Sequence, residues 1–133
     1  VKKRILFLCT GNVARSQMAE AIANEFHDDV VSAVSAGSRP GSGIHPLAVR
    51  ALADRGICAS GRASKGVDQF INEQFDVVVT VCDSAAQDCP TWPGAKRIEH
   101  WHIPDPTGGL PQFIAIRDDL ERRIDELVSS GLV

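Results

Sequence analysis

No stretch of the 133 residues is both apolar and long enough to form the core of a signal peptide. Lys2-Lys3-Arg4 followed by Ile5 to Cys9 imitates the start of one, but its apolar part is about half the required length, so the chain is expected to be cytoplasmic. An excess of positive charge is also missing. Fourteen Lys and Arg stand against 17 Asp and Glu, for a formal net charge of −3, a field that draws neither nucleic acid nor an anionic membrane. An anionic ligand must therefore be attracted locally. There is no internal repeat, linker or low-complexity segment, and no tyrosine at all. The four cysteines make neither a Cys-x-x-Cys redox turn nor a zinc-knuckle spacing. In a reducing compartment such cysteines point to catalysis, redox exchange or metal binding rather than structural bridges. The length suits one domain, and a hydrophobic share of 44% fills a single core without staples.

What is present gathers around Arg4-Ile5-Leu6-Phe7-Leu8-Cys9-Thr10-Gly11-Asn12-Val13-Ala14-Arg15-Ser16. An apolar run the length of a strand stops at Cys9, crosses Thr10, Gly11, Asn12, Val13 and Ala14, and restarts as a helix at Arg15-Ser16. Backbone N–H groups in such a loop lack a ladder partner and lie at the positive end of the following helix dipole, so they can enclose an anion. A tetrahedral oxyanion there would meet Arg15 as a bidentate clamp and Cys9 as a nucleophile. The same field favours the Cys9 thiolate. Ser16 either hydrogen-bonds that thiolate or caps the helix, and Asn12 suits the left-handed backbone that such a loop needs. The alternative is a buried strand-end cysteine and a surface arginine, which the spacing alone does not exclude.

The remaining pattern alternates strands and helices. A helix is expected over about Ser16 to His27, with Met18, Ile22 and Phe26 on its buried stripe. A strand follows at Val30 to Ala36, a turn cluster at Ser38 to Gly43, and a half-exposed helix from Pro46 to Gly56. Residues 57 to 66 show no period. A short helix from Val67 to about Asn72 precedes Phe75 to Val81, a continuous apolar run suited to a strand covered on both faces. A short strand at Arg97 to His100 and a long amphipathic helix from Pro111 to Ser129 complete the chain. This order implies an α/β fold with a parallel sheet and helices on both faces, whose ligands bind beyond the carboxyl ends of the strands. That edge receives Cys9, Cys82 and the loop after His100.

Asp105-Pro106 follows the last strand, where a carboxylic acid kept neutral by burial could protonate a leaving oxygen, although an Asp-Pro turn needs no such role. Cys82 ends the apolar strand and Cys89 lies seven residues on. They read as small core hydrophobes, as metal ligands beside His100 and His102, or as a redox pair. No second close-spaced ligand pair supports the metal, and neither a metal nor a cofactor is expected.

The segment Cys9-Thr10-Gly11-Asn12-Val13-Ala14-Arg15-Ser16-Gln17-Met18-Ala19-Glu20 resembles the signature of arsenate reductases on the low-molecular-weight tyrosine phosphatase scaffold, and the similarity continues through most of the chain. The resemblance implies a single domain with a four-stranded parallel sheet in flavodoxin-like order. It also implies reduction of arsenate by Cys9, Cys82 and Cys89 with thioredoxin as reductant, residues 10 to 16 holding the substrate and Asp105 acting as the acid. The matching Glu99-His100-Trp101 and the cysteine pair favour the reductase branch, because the phosphatases normally lack that pair and carry tyrosines after their Asp-Pro, where this chain has Thr107. Val13 and Ala14 depart from the Ser-Cys frequent in the reductase loop. Some members bind a monovalent cation through groups that match Asn12, Glu20 and Ser35 plus a carboxylate. Lys65 stands at the carboxylate's place, so its ammonium is expected to replace the ion. Cys58 has no counterpart and is expected to be structural. The runner-up activity is phosphotyrosine hydrolysis, and a non-enzymatic alternative is a redox-sensing anion binder. The protein is expected to work as a monomer.

Overall fold

The computed structural model describes residues 2–81 and 92–131. Strand β1 (Lys3–Cys9) carries the run Ile5 to Cys9 into the middle of a four-stranded parallel sheet, pairing with β2 (Val31–Gly37) on one side and β3 (Phe75–Thr80) on the other. Strand β4 (Ala95–His100) pairs with β3 at the edge, giving the order β2-β1-β3-β4. This is the single-domain α/β sheet expected from the sequence, in the flavodoxin-like order that the resemblance implied, but where helices were expected on both faces the three α-helices among the described residues all pack on one. The apolar run in β3 is buried on both faces. Val77 and Val79 point to one core and Val78 to the other, as side-chain alternation on a central strand requires.

The larger core combines Ile5, Phe7 and Cys9 of β1 with three helices: α1 (Arg15–Phe26), α2 (Pro46–Asp54) and α3 (Leu110–Ser129). Helix α1 contributes Met18 and Ile22, whereas Phe26 is 37% exposed. The expected stripe therefore ends one turn early, and the Phe26 ring lies instead under the Arg55 guanidinium, 4.6 Å from its carbon. Pro46 opens α2, the His45 side chain accepts from the Leu47 N–H as its cap, and Gly56 leaves the helix with a left-handed φ of 82°. The opposite sheet face, with Leu6, Leu8 and Val78, is covered among the described residues by Phe70, Trp92 and a 3-10 turn at Val67–Gln69. That turn stands where the sequence suggested a helix reaching Asn72. At the amino ends of the strands the Arg4 N–H donates to Asp76 (2.8 Å). That bond, helped by Lys96, holds the Asp76 carboxyl below the usual carboxylate range.

Cys58 is exposed, not a core residue. It sits between buried Ile57 and Ala59 in the aperiodic stretch, where only the flanking side chains turn inward. Cys82 and Cys89 lie outside the described residues. The preceding Val81 is fully buried, and its N–H donates to the Leu8 carbonyl (2.8 Å), so the end of β3 lies beside the end of β1. No described helix is long and apolar enough to cross a membrane.

Candidate active site

The loop between β1 and α1 is held from outside through its carbonyls. Cys9 O accepts from Ser38 N, Thr10 O from Arg39 N, Gly11 O from Gly41 N, Val13 O from His45 N and Ala14 O from Met18 N, while Ser64 Oγ donates to Asn12 O. Five successive carbonyls, from Cys9 to Val13, thus face the surrounding chain while Ala14 O makes the first bond of the following helix, and a peptide that turns its C=O outward turns its N–H toward the loop centre. The Asn12 N–H shows this directly, donating to Cys9 Sγ at 3.2 Å. At the end of β2, just before these donors, the chain runs so close that a Cβ on Gly37 would stand 2.5 Å from Thr10 O.

Asn12 adopts φ of 53°, the left-handed conformation expected of it. Its side chain is the hub of the loop. Oδ1 accepts from Lys65 N (2.8 Å) and Gln17 Nε2 (3.1 Å), which fixes the amide orientation, and Nδ2 donates to Ser16 Oγ (2.8 Å) and Ser35 Oγ (2.9 Å). Ser16 Oγ lies 2.8 Å from Cys9 Sγ. Because Asn12 supplies a proton to Ser16 Oγ, the hydroxyl proton of Ser16 is available for the sulfur, which stabilises a thiolate. The second branch runs from Ser35 Oγ to Glu20 Oε1 (2.8 Å). Glu20 is then paired with Lys65 Nζ (3.0 Å) and Arg62 Nη1 (2.5 Å). The Lys65 ammonium therefore joins Glu20, as expected. Arg62, which lies in the aperiodic stretch, gave no signal in the sequence.

Arg15 is 8% exposed, its Nη1 donating to the Ile103 carbonyl (2.9 Å) and its Nη2 lying 3.4 Å from Asp105 Oδ1. The topology thus brings Cys9, Arg15 and Asp105 to one edge of the sheet. The burial expected for Asp105 is not observed, since its side chain is 64% exposed. The loop 101–109 turns its buried side chains, Trp101 and Ile103, inward and leaves Asp105 on the rim. His100 Nδ1 is 2.7 Å from Thr80 Oγ1, and no group of three or more metal-ligating side chains occurs among the described residues.

A family model described as low molecular weight phosphotyrosine protein phosphatase matches residues 4–131. The arsenate reductase of Brevibacillus brevis is 40% identical over 131 residues, covering 98% of this chain and 97% of the relative. A solved arsenate reductase in a phosphate-binding state superposes with a TM-score of 0.86 at 29% identity, over 96% of this chain and 98% of its own. A thioredoxin-dependent arsenate reductase of Corynebacterium glutamicum gives 0.76 at 32% identity, over 97% of this chain and 60% of its own. With the sheet order and the matched length in agreement, the chain belongs to the low molecular weight phosphotyrosine protein phosphatase family.

Proposed function

We propose that the protein reduces arsenate to arsenite. The observation that carries this reading is Cys9 Sγ, 2.8 Å from Ser16 Oγ and 3.2 Å from Asn12 N, in a loop whose carbonyls from Cys9 to Val13 are taken up by the surrounding chain and whose helix begins with Arg15. The near full-length similarity to arsenate reductases supports arsenate as the oxyanion.

In the proposed reaction, arsenate enters the loop between residues 10 and 16, where Arg15 and the N–H groups stabilise its charge. The Cys9 thiolate attacks arsenic, and one oxygen departs as water with a proton delivered by Asp105, which stands exposed on the rim and takes that proton up from solvent. The Cys82 thiolate then attacks Cys9 Sγ. The arsenic–sulfur bond breaks, its electron pair stays on arsenic, arsenite leaves and a Cys9–Cys82 disulfide forms. Attack by Cys89 on Cys82 restores Cys9 and moves the disulfide to Cys82–Cys89, which the dithiol of thioredoxin reduces. The similarity to a thioredoxin-dependent reductase supports that donor. The setting is the reducing cytoplasm, with a monomeric protein and no metal or cofactor. Phosphotyrosine hydrolysis would use only Cys9, Arg15 and Asp105. It is the second reading, favoured by the family description and disfavoured by the absence of tyrosine after Asp105-Pro106.

The test is Cys9→Ser. Arsenate reduction, and any side hydrolysis of aryl phosphates, should fall below about a thousandth of wild type, equivalent to about 4 kcal/mol of barrier. Reduction retained above that level would reject Cys9 as the nucleophile.

A further inference from the structure

We propose that Gln17 is a positioning residue for the nucleophile, holding Asn12 in the conformation that directs two donors at the Cys9 sulfur. This rests on Cys9 being the reacting thiol. Gln17 is in the first turn of α1 and is fully buried. Its Nε2 faces three acceptors: the Ala63 carbonyl (2.8 Å), Asn12 Oδ1 (3.1 Å) and the Asn12 carbonyl (3.3 Å). That set fixes the amide orientation, because the flipped form would place an oxygen against three oxygens. The orientation leaves Oε1 buried without a partner among the described residues. An unpartnered buried acceptor is destabilising, and an apolar side chain of the same length would avoid it. What the amide supplies here is its N–H donors, which an apolar side chain would take away from the Asn12 and Ala63 oxygens.

Their effect runs through Asn12. Gln17 binds both the main-chain and side-chain oxygens of a residue held at φ of 53°, and so couples its backbone to its amide. From that fixed residue the main-chain N–H reaches Cys9 Sγ, while Nδ2 reaches Ser16 Oγ and leaves the Ser16 hydroxyl proton for the same sulfur. The third acceptor, Ala63 O, ties this unit to the strap 62–65, which also supplies Ser64 and Lys65 to Asn12.

Gln17→Met keeps length and removes the donors, leaving Lys65 N on Asn12 Oδ1 and Ser64 Oγ on Asn12 O. The readout is iodoacetamide labelling of each cysteine as a function of pH, followed by peptide mass mapping. In Gln17→Met the labelling of Cys9 in the neutral range should fall roughly tenfold, because its sulfur loses directed donors, while labelling in strong base stays at the wild-type rate. A lower melting temperature with an unmoved Cys9 profile would overturn the proposal. Gln17→Asn, which withdraws the amide by one methylene, serves as the second variant and should shift the profile in the same direction. Failure of both variants to fold would assign Gln17 a structural role and likewise overturn it. If labelling of wild-type Cys9 follows the same profile as that of exposed Cys58, the reading of Cys9 as an activated thiol fails instead.

Discussion

At the residue scale, Glu20 shows how the loop obtains its counter-charge. A carboxylate this buried needs a partner, and it has two cations from the stretch 62–65 as well as the Ser35 hydroxyl. The Lys65 ammonium is tethered to the chain, so it occupies Glu20 without depending on solution potassium. Replacing potassium by sodium at fixed ionic strength should therefore leave both the melting temperature and the turnover of arsenate unchanged. A potassium-specific rise in melting temperature would show a real ion site, by mass action on the folded state. Arg15 and Asp105 differ in how far the sequence revealed them. Arg15 stood out because its spacing from Cys9 lies within a strand-loop-helix unit, and it is buried with Nη1 on Ile103 O. The exposure of Asp105 depends on which neighbours in 101–109 turn inward, and no local pattern records that.

At the scale of elements, β1, β3 and α3 were legible because each carries a long, regular apolar pattern that tertiary packing reinforces. The misses fall where few residues carry the signal. Phe26 fits the helical period but lies at the last position of α1, beyond the reach of the sheet, and finds Arg55 instead. The strap 62–65 has no period, because its contacts are hydrogen bonds to Asn12, Gln17 and Glu20 rather than a packed face. The junction of β2 with the loop makes a sharp prediction. Gly37 pairs with Cys9, and a side chain there meets Thr10 O at 2.5 Å and Asn12 N at 3.0 Å, both backbone atoms that cannot swing aside. Gly37→Ala should therefore displace the loop between β1 and α1. Reduction should fall by at least tenfold, and stability by about 1–3 kcal/mol, measured by denaturant unfolding. Wild-type activity in that variant would show that the loop tolerates a different path.

At the scale of the whole molecule, the strand order brings the ends of β1 and β3 together, so Cys9 and the residue before Cys82 lie on adjacent strands at the same sheet edge. The proposed relay uses that adjacency first and the separation of Cys82 from Cys89 second. This division assigns the cysteines different failures. With Cys89→Ser, Cys82 remains free to attack Cys9, and each molecule should release one arsenite and stop as the Cys9–Cys82 disulfide. Cys82→Ser should lose even that single turnover. Hydrolysis of aryl phosphates, if wild type shows any, should survive both changes. The most direct measurement is arsenite released per Cys89→Ser molecule in a rapid-quench experiment without reductant, followed by mass mapping of the disulfide. The relay requires one equivalent and a Cys9–Cys82 bond, while sustained wild-type turnover of this variant with thioredoxin would contradict the three-cysteine relay.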